Sequence, residues 1–385
     1  MSAPMLDVVT IPLSADRLRR AKAAYTTRHV DLAPAAAVAT GGTPEVGDLV
    51  LAGVQEVGQH LRIEGRDGRR AHMFPGDEVV VAYGNRYAPD QFEAVVPDDL
   101  GPCHLVAAGG IAARVLSAHG RMSEATSLLP VGLLVDSDGR RLNLRSGAVP
   151  TPETVWRADR PVTVAVLGAS MNAGKTTSAA SLVRGLRAAG VRVGAAKVTG
   201  TGAGGDVWVL QDSGAYPVYD FTCAGVPSTY RVGAQEVRRI FTDLTDRLAG
   251  DGCEAVVIEV ADGVYQEETS ELVQDDVFRD RVDALLFAAS DALGACAGND
   301  WLRIRGMAAL ALSGVLSASP LATREAEAAT GCQVWGLERL IDADATRALY
   351  EDLLAGRRVR GADQAPDPDP VVELELARPR LSSAV

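Results

Sequence analysis

The chain has 385 residues, of which 47% are hydrophobic and 23% charged; these values exclude a disordered or fibrous protein and predict two or three folded domains. Its 38 basic and 50 acidic side chains give a net charge of −12, which argues against a general binder of nucleic-acid backbones. The five cysteines are dispersed without a Cys-x-x-Cys pair, and no apolar run is long enough to span a bilayer. We therefore expect a cytoplasmic protein with neither a nucleic-acid nor a membrane partner.

Residues 1–155 have the pattern of a β-rich domain. Alternating or apolar runs, separated by turn sequences, predict strands over residues 48–54, 60–64, 78–83 and 132–136. A helical pattern over residues 108–119 is predicted to pack on this sheet. The polar and aromatic loop from Tyr83 to Asp90 can face a ligand or the following domain, although an ordinary exposed loop is the favoured interpretation.

From Val162 onward, apolar strands alternate with helical patterns, which predicts an α/β domain with a mainly parallel sheet. The predicted strands cover residues 162–167, 191–196, 255–260, 284–288, 308–312 and 333–337. One helix is predicted where Val237, Ile240, Phe241, Leu244 and Leu248 recur at helical spacing, and another opens at Ser319-Pro320. We place this domain at residues 161–358 and a Pro- and Asp-rich tail at 359–385, in which residues 371–376 have the pattern of a short strand.

The first strand of this domain runs into a glycine-rich loop, Gly168-Ala-Ser-Met-Asn-Ala-Gly174-Lys175-Thr176-Thr177, and an amphipathic helix follows. A strand, a glycine loop, Lys-Thr and a helix in this order are typical of a phosphate-binding loop. Its backbone N–H groups can surround a polyphosphate, Lys175 can neutralise the β and γ oxygens, and the Thr176 hydroxyl can bind Mg²⁺. The predicted nucleotide-binding residues are Gly168, Ser170, Asn172, Ala173, Gly174, Lys175, Thr176 and Thr177.

Two more charged residues end predicted strands of the same sheet. Lys197 ends the second strand and Glu259 lies at the end of the third, so both should converge with Lys175 on the carboxyl edge, where ligands of such sheets bind. The chain has only three lysines, Lys22, Lys175 and Lys197, against 35 arginines. Two cations and a carboxylate around a triphosphate suit phosphoryl transfer, and we predict Lys175, Lys197 and Glu259 as the catalytic residues.

The predicted metal ligands are Thr176, Glu259 and Asp206. Asp206 follows a glycine-rich bend, where a plain turn with a solvated carboxylate is equally compatible, and Asp212 is a substitute for it. Asp220 and the run Ser228-Thr229-Tyr230 are candidates for the substrate pocket, although helix capping also accounts for them. Ser313-Gly314 follows the fifth strand, where a nucleotide base is expected.

The loop spacing Gly168-x5-Gly174-Lys175-Thr176 resembles that of the dethiobiotin synthetase type of P-loop enzyme. Lys197-Val-Thr-Gly200 resembles the family's Lys-Pro segment, with valine in place of proline. Glu259-Val-Ala-Asp262-Gly263 is similar to the family's Val-Glu-Gly-Ala-Gly-Gly, whose glutamate is a metal ligand, but Val260 and Asp262 replace glycines. The resemblance covers residues 162–340 and implies ATP, Mg²⁺ and a carboxylate or similar oxyanion as substrate.

Two functions are compatible with these features. The first is an ATP- and Mg²⁺-dependent enzyme, of synthetase, ligase or kinase type, that transfers the γ-phosphoryl group to a small oxyanion. The second is an accessory NTPase that acts as a nucleotide switch and binds a client enzyme; the absence of a Cys/His cluster near the loop disfavours a metal-delivering switch. We expect a nucleotide and a small molecule as partners. A homodimer is compatible with the sequence, and the choice between ATP and GTP stays open.

Overall fold

The computed structural model describes residues 9–150 and 160–360, with side chains as far as 356. The predicted tail lies outside the described residues, apart from the last turn of a helix that ends at Arg360. In residues 9–150 the elements are, in chain order, β1 Thr10–Pro12, α1 Ala15–Arg20, β2 Lys22–Ala23, β3 Ala37–Ala39, β4 Leu49–Glu56, β5 Arg62–Glu64, β6 Arg70–His72, β7 Glu78–Tyr83, β8 Arg86–Tyr87, β9 Phe92–Val95, β10 Cys103–Ala107, β11 Ile111–Ala118 and β12 Thr126–Val135.

Ten of these strands form one sheet, which we call the N-terminal sheet. Its main path is β1-β3-β12-β4-β7-β11-β9-β8, with β10 against β11 and β12 and with β2 against β7. Most of the pairs are antiparallel, and β5 pairs with β6 in a separate hairpin. The apolar residues predicted in strands, such as Val50, Val54, Val79 and Val81, are buried in its core.

The helix predicted over residues 108–119 is wrong, because Ile111–Ala118 forms strand β11. The alanines in this segment favour a helix when the chain is considered locally. The segment instead forms backbone pairs with β7 and β10 near its start and with β9 from Arg114 to Ala118. Tertiary pairing of this kind overrides a weak local preference.

In residues 160–360 the elements are β13 Val162–Gly168, α2 Lys175–Ala188, β14 Val193–Lys197, α3 Gly205–Asp212, β15 Val218–Asp220, α4 Ala234–Gly250, β16 Ala255–Glu259, α5 Glu267–Gln274, α6 Asp276–Arg281, β17 Ala284–Ala288, α7 Ala292–Ile304, β18 Ala311–Ser313, α8 Pro320–Thr330, α9 Leu337–Ile341 and α10 Ala343–Arg360. The six strands form one parallel sheet in the order β15-β14-β16-β13-β17-β18, which we call the C-terminal sheet.

Helices cover both faces of the C-terminal sheet, as expected for a parallel sheet whose strands are largely apolar and buried. Ala165 and Leu167 of β13 pack on the side of α4 to α8, whereas Val164 and Val166 pack against α2, α3, α9 and α10. The predicted mixture of a mainly parallel α/β sheet and a β-rich region is therefore confirmed. No described helix is long and apolar enough to cross a membrane.

The strand predicted over residues 333–337 is wrong. Only Val334 pairs with β18, through a single bridge to Leu312, and helix α9 begins directly afterwards at Leu337. Gly336 is the N-cap of α9, so the chain leaves the sheet edge after one residue pair. The short edge strand β15 was not predicted.

The two sheets meet at a polar surface that we call the sheet junction. Tyr25 donates to Asp220 at 2.7 Å, and Arg28 forms an ion pair with the same carboxylate at 2.9 Å. Nearby, the backbones approach so closely that a Cβ atom at Gly109 would overlap the carbonyl oxygen of Gly202. A hydrogen bond from Asn172 to Asp90 places the turn between β8 and β9 beside the loop that follows β13.

Candidate functional site

The glycine-rich loop of residues 168–177, which we call the phosphate loop, joins β13 to α2. Gly174 has a φ of 96°, and a Cβ there would lie 2.9 Å from Gly314 Cα, so glycine fits both the left-handed backbone and the narrow space. Lys175 is the first residue of α2 and is 5% exposed. The loop thus presents a helix N-terminus and a lysine at one place, which is the arrangement that binds phosphate.

The Lys175 ammonium donates to the Ser170 carbonyl oxygen at 2.8 Å, so it lies across the loop. Burial lowers the pKa of Lys175, while Glu259 and Asp262 oppose this shift. A buried ammonium with one backbone acceptor retains donors for a phosphate oxygen.

Thr176, Glu259 and Asp206 form a cluster of oxygen atoms beside the phosphate loop. The Thr176 hydroxyl lies 3.0 Å from Glu259 Oε1 and 3.2 Å from Asp206 Oδ1. Glu259 Oε2 is buried without a partner. Burial, and next the charge of Asp206, raise the pKa of Glu259.

This cluster fits Mg²⁺, which binds through oxygen atoms and usually uses one or two carboxylates together with the substrate phosphates. The unpartnered Glu259 oxygen is an acceptor that such a cation would satisfy. No group of three or more His, Cys, Asp or Glu suited to a metal occurs among the described residues, so a protein-only metal cage is not seen there.

Lys197 ends β14 and forms an ion pair with Asp206, which lies in the first turn of α3. Burial acts to lower the pKa of Lys197, but Asp206 and Glu259 outweigh it and the pKa is raised. Lys197 is therefore a firmly charged ammonium, and it pairs with the same carboxylate that contacts Thr176.

These residues line one cavity of about 470 Å³ at the carboxyl edge of the C-terminal sheet. Of the predicted site residues, the cavity contains Asn172, Gly174, Lys175, Thr176, Thr177, Lys197, Asp206 and Glu259. Gly168, Ser170 and Ala173 belong to the loop but do not line it. Gly168 packs under the stem of Lys175, and Ala173 is fully buried.

Several weaker candidates lie elsewhere. Asp212 is exposed at the last residue of α3, and Asp220 is engaged at the sheet junction, so neither lines the cavity. Thr229 exchanges hydrogen bonds with Gly200 and so supports the bend after Lys197. Tyr230 packs on Tyr87 instead of facing the cavity.

A second cavity of about 660 Å³ adjoins the first and shares Gly174, Thr177 and Val315 with it. Gly314, predicted near the base, lines this second cavity. Ser313 is buried beneath it, where its hydroxyl interacts with Ser178 and donates to the Trp335 carbonyl oxygen.

Arg86 and Asp262 also line the first cavity, and neither was predicted as a site residue. The loop from Tyr83 to Asp90 is not an ordinary exposed loop, because Tyr83 is fully buried and Arg86 is 7% exposed. Asp90 accepts a hydrogen bond from the Asn172 side chain of the phosphate loop at 2.8 Å. The only signal in the sequence was the density of polar and aromatic residues in this loop.

The six-stranded sheet contains a buried parallel strand, β13, that is followed by the glycine loop, Lys175-Thr176 and helix α2. The α/β part of the chain has the P-loop NTPase fold. No family model matches the chain, and no curated protein matches it.

Three solved structures resemble the chain distantly. The signal recognition particle 54 kDa protein of Aeropyrum pernix K1, in complex with GDP, is 21% identical with a TM-score of 0.34, and the match covers 56% of this chain and 51% of that one. The receptor FtsY of Elizabethkingia anophelis is 15% identical with a TM-score of 0.31, over 56% of this chain and 74% of that one. Chloroplast FtsY of Physcomitrella patens is 16% identical with a TM-score of 0.33, and the match covers 53% of this chain and 70% of that one.

The chain thus spans about half the length of the first of these structures. None of the three is a dethiobiotin synthetase, so the resemblance of the loop to that family stays a prediction.

Proposed function

We propose that the chain is an ATP- and Mg²⁺-dependent phosphoryl-transfer enzyme of synthetase or kinase type, with a small carboxylate or similar oxyanion as acceptor. The observation that carries this proposal is that Lys175, Lys197 and the oxygen cluster around Thr176 line one cavity. Phosphoryl transfer depends on positioning and charge neutralisation, and these residues supply both.

In this proposal the phosphate loop binds the β and γ phosphates through its N–H groups and Lys175. Thr176, Glu259 and Asp206 would hold Mg²⁺, which would supply positive charge to neutralise the phosphate oxygens. Lys197 stands on the other side of Asp206 and stabilises charge on the oxygens of the transferred group. The second cavity adjoins the loop and has room for the nucleoside.

The three lysines of the chain provide the test. Lys175→Ala leaves the triphosphate held by loop N–H groups alone and is expected to abolish productive nucleotide binding. Lys197→Ala removes a charge that acts mainly in the transition state, so kcat should fall on the order of 10²- to 10³-fold while ATP affinity changes little. Lys197→Arg should rescue poorly, because a planar fork does not reproduce a compact ammonium.

Lys22→Ala is the matched control. Lys22 pairs with Asp77 in the N-terminal sheet and does not line the cavity, so its removal should leave turnover unchanged. The measurements are titration with a fluorescent ATP analogue and release of ADP from Mg²⁺·ATP, with Mg²⁺·GTP assayed in parallel. Equal binding and turnover in Lys175→Ala and wild type would contradict the nucleotide site. Normal turnover in Lys197→Ala would favour the accessory-NTPase function.

A further inference from the structure

Arg86 comes from the N-terminal part of the chain and lines the first cavity. It belongs to β8 of the N-terminal sheet, yet it lines the same cavity as Lys175, Lys197 and Glu259. The turn that carries it is tied to the phosphate loop through the hydrogen bond from Asn172 to Asp90. Arg86 is therefore held in a fixed position relative to the nucleotide site.

The guanidinium of Arg86 is buried without an ion-pair partner among residues 9–150 and 160–356. Nη1 donates to the Val106 carbonyl oxygen, and Nη2 donates to Gln91 Oε1 at 2.8 Å. Nε is buried and has no acceptor. Of five N–H donors, these contacts engage two, which leaves three for another acceptor.

Two other largely buried arginines each form an ion pair, whereas Arg86 has only the more distant charges of Asp90 and Asp262. Arg28 pairs with Asp220 at 2.9 Å, and Arg281 pairs with Asp246 at 2.7 Å. Burying a charge without an ion-pair partner costs folding free energy. An apolar side chain could fill the same space if the role of this position were only structural. An anion that enters the cavity would complete the environment of Arg86.

Asp262 lies near Arg86 and also near the two lysines. Its carboxylate lies close enough to interact electrostatically with Lys175, Lys197 and Arg86. Arg86, Lys175 and Lys197 thus all lie within electrostatic range of one carboxylate in the same cavity.

We propose that Arg86 is a catalytic residue supplied by the N-terminal sheet, and that its free N–H groups bind the phosphoryl group in transit. This inference rests on the proposed function. As the acceptor oxygen forms its bond to the γ-phosphorus, the bond from phosphorus to the β,γ-bridging oxygen breaks and its electron pair stays on the nucleoside diphosphate. Negative charge spreads over the equatorial oxygens of the transferred group, and Arg86 donates hydrogen bonds to them.

Aluminium fluoride with ADP and Mg²⁺ mimics the group in transit and serves as the probe. We expect wild type to bind fluorescent ADP much more tightly when aluminium fluoride is present. Arg86→Gln and Arg86→Lys should lose on the order of 10² of this gain, whereas their affinity for ADP alone should stay close to that of wild type. Arg114→Gln is the control, because Arg114 is an exposed residue of β11 paired with Asp98, and it should behave as wild type.

Gln91→Glu tests the same point without removing the buried arginine. Gln91 already accepts a hydrogen bond from Arg86, and a carboxylate there would supply the missing ion-pair partner. We expect a higher unfolding temperature together with a smaller aluminium fluoride gain. A purely structural role would give the first effect without the second.

The outcomes separate the two proposals. If folded Arg86 variants keep the wild-type gain in ADP affinity with aluminium fluoride, the role of Arg86 is overturned and the proposed function stands. If the Arg86 variants do not fold, the same result with Gln91→Glu leads to the same conclusion. A wild-type chain that binds neither ADP nor GDP with Mg²⁺, or that gains nothing from aluminium fluoride, would overturn the proposed function and this inference with it.

Discussion

Asp262 combines an unfavourable backbone, burial and charge at one residue. Its φ of 62° is in the left-handed region, where non-glycine residues are uncommon. The side chain is 9% exposed, and no hydrogen bond reaches its carboxylate from the described residues. Burial raises its pKa to about 6. Residues that combine backbone strain with a buried charge cluster at functional sites, and Asp262 lines the first cavity.

Asp262→Asn is expected to stabilise the nucleotide-free protein in a pH-dependent way. The folded wild type keeps its proton up to about pH 6, whereas the unfolded carboxyl loses it near 3.8, so wild-type stability falls as the pH rises through this window. The full shift corresponds to about 3 kcal/mol. The free-energy advantage of the variant should therefore be about 1 kcal/mol larger at pH 8 than at pH 5, as measured by urea unfolding.

Asp212→Asn is the matched control, because this aspartate is exposed and lies outside the cavity. It should change stability little at either pH. An Asp262→Asn advantage that is the same at both pH values would show that the carboxyl does not titrate in this window.

The residues of the phosphate loop and the strand-end charges Lys197 and Glu259 were predictable, because each depends on a local pattern and on the shared edge of parallel strands. Arg86 was not, since its place depends on how the N-terminal sheet docks. No periodicity within the loop from Tyr83 to Asp90 specifies that surface.

At the scale of elements, helix α3 carries Asp206 to the cluster of oxygen atoms around Thr176, and a residue of the N-terminal part of the chain contacts the start of this helix. Glu64 of β5 accepts hydrogen bonds from the Gly204 N–H at 3.0 Å and from Trp208 Nε1 at 2.8 Å. A carboxylate at a helix N-terminus also interacts favourably with the helix dipole. The direction of α3, and with it the position of Asp206, thus depends on Glu64.

Glu64→Gln is expected to weaken divalent-metal binding. One of the two acceptor oxygens becomes an NH₂ donor that faces another donor, so the start of α3 must shift and Asp206 leaves the position it has beside Thr176. Loss of such a supporting contact typically costs 10- to 100-fold in metal affinity. Titration of Mn²⁺ by electron paramagnetic resonance, with a non-hydrolysable ATP analogue present, measures the effect.

Glu56→Gln provides the comparison, since Glu56 is an exposed residue at the end of β4. Its Mn²⁺ affinity should equal that of wild type. If Glu64→Gln also binds Mn²⁺ like wild type, α3 is positioned by other contacts.

The buried parallel strands were the easiest elements to predict, because runs such as Val162–Gly168 are almost entirely apolar and are bounded by proline and glycine. The errors occurred where local preference and tertiary pairing disagree. Ile111–Ala118 is alanine-rich but paired on both sides, whereas the apolar segment near Val334 pairs through one residue only.

Across the whole molecule, the sheet junction is polar and buried. Asp220 is 1% exposed and accepts hydrogen bonds from Tyr25, Arg28 and Thr222. Burial opposes ionisation of Asp220, but Arg28 and these donors outweigh it and lower its pKa. We propose that the two sheets belong to separate domains, as the sequence predicts, and that this carboxylate joins them.

Arg28→Met is expected to destabilise the chain by about 3–5 kcal/mol, because it leaves Asp220 charged and buried without its ion-pair partner. Adding Asp220→Asn removes the unpaired buried carboxylate and should restore much of the lost stability. Urea unfolding of the two single variants and the double variant measures the coupling between the residues. Strictly additive effects would mean that the ion pair does not couple the sheets.

The close approach of Gly109 to Gly202 restricts which gene segments recombination can exchange. Neither half could be exchanged for a homologous half from another gene unless the incoming surface lacked a side chain at that point. An incoming N-terminal half would also have to present donors to Asp220, and an incoming C-terminal half would have to present donors to Glu64. Recombination between genes should therefore pass on residues 9–150 and 160–360 together, and substitutions on either side of the contact should be found in pairs.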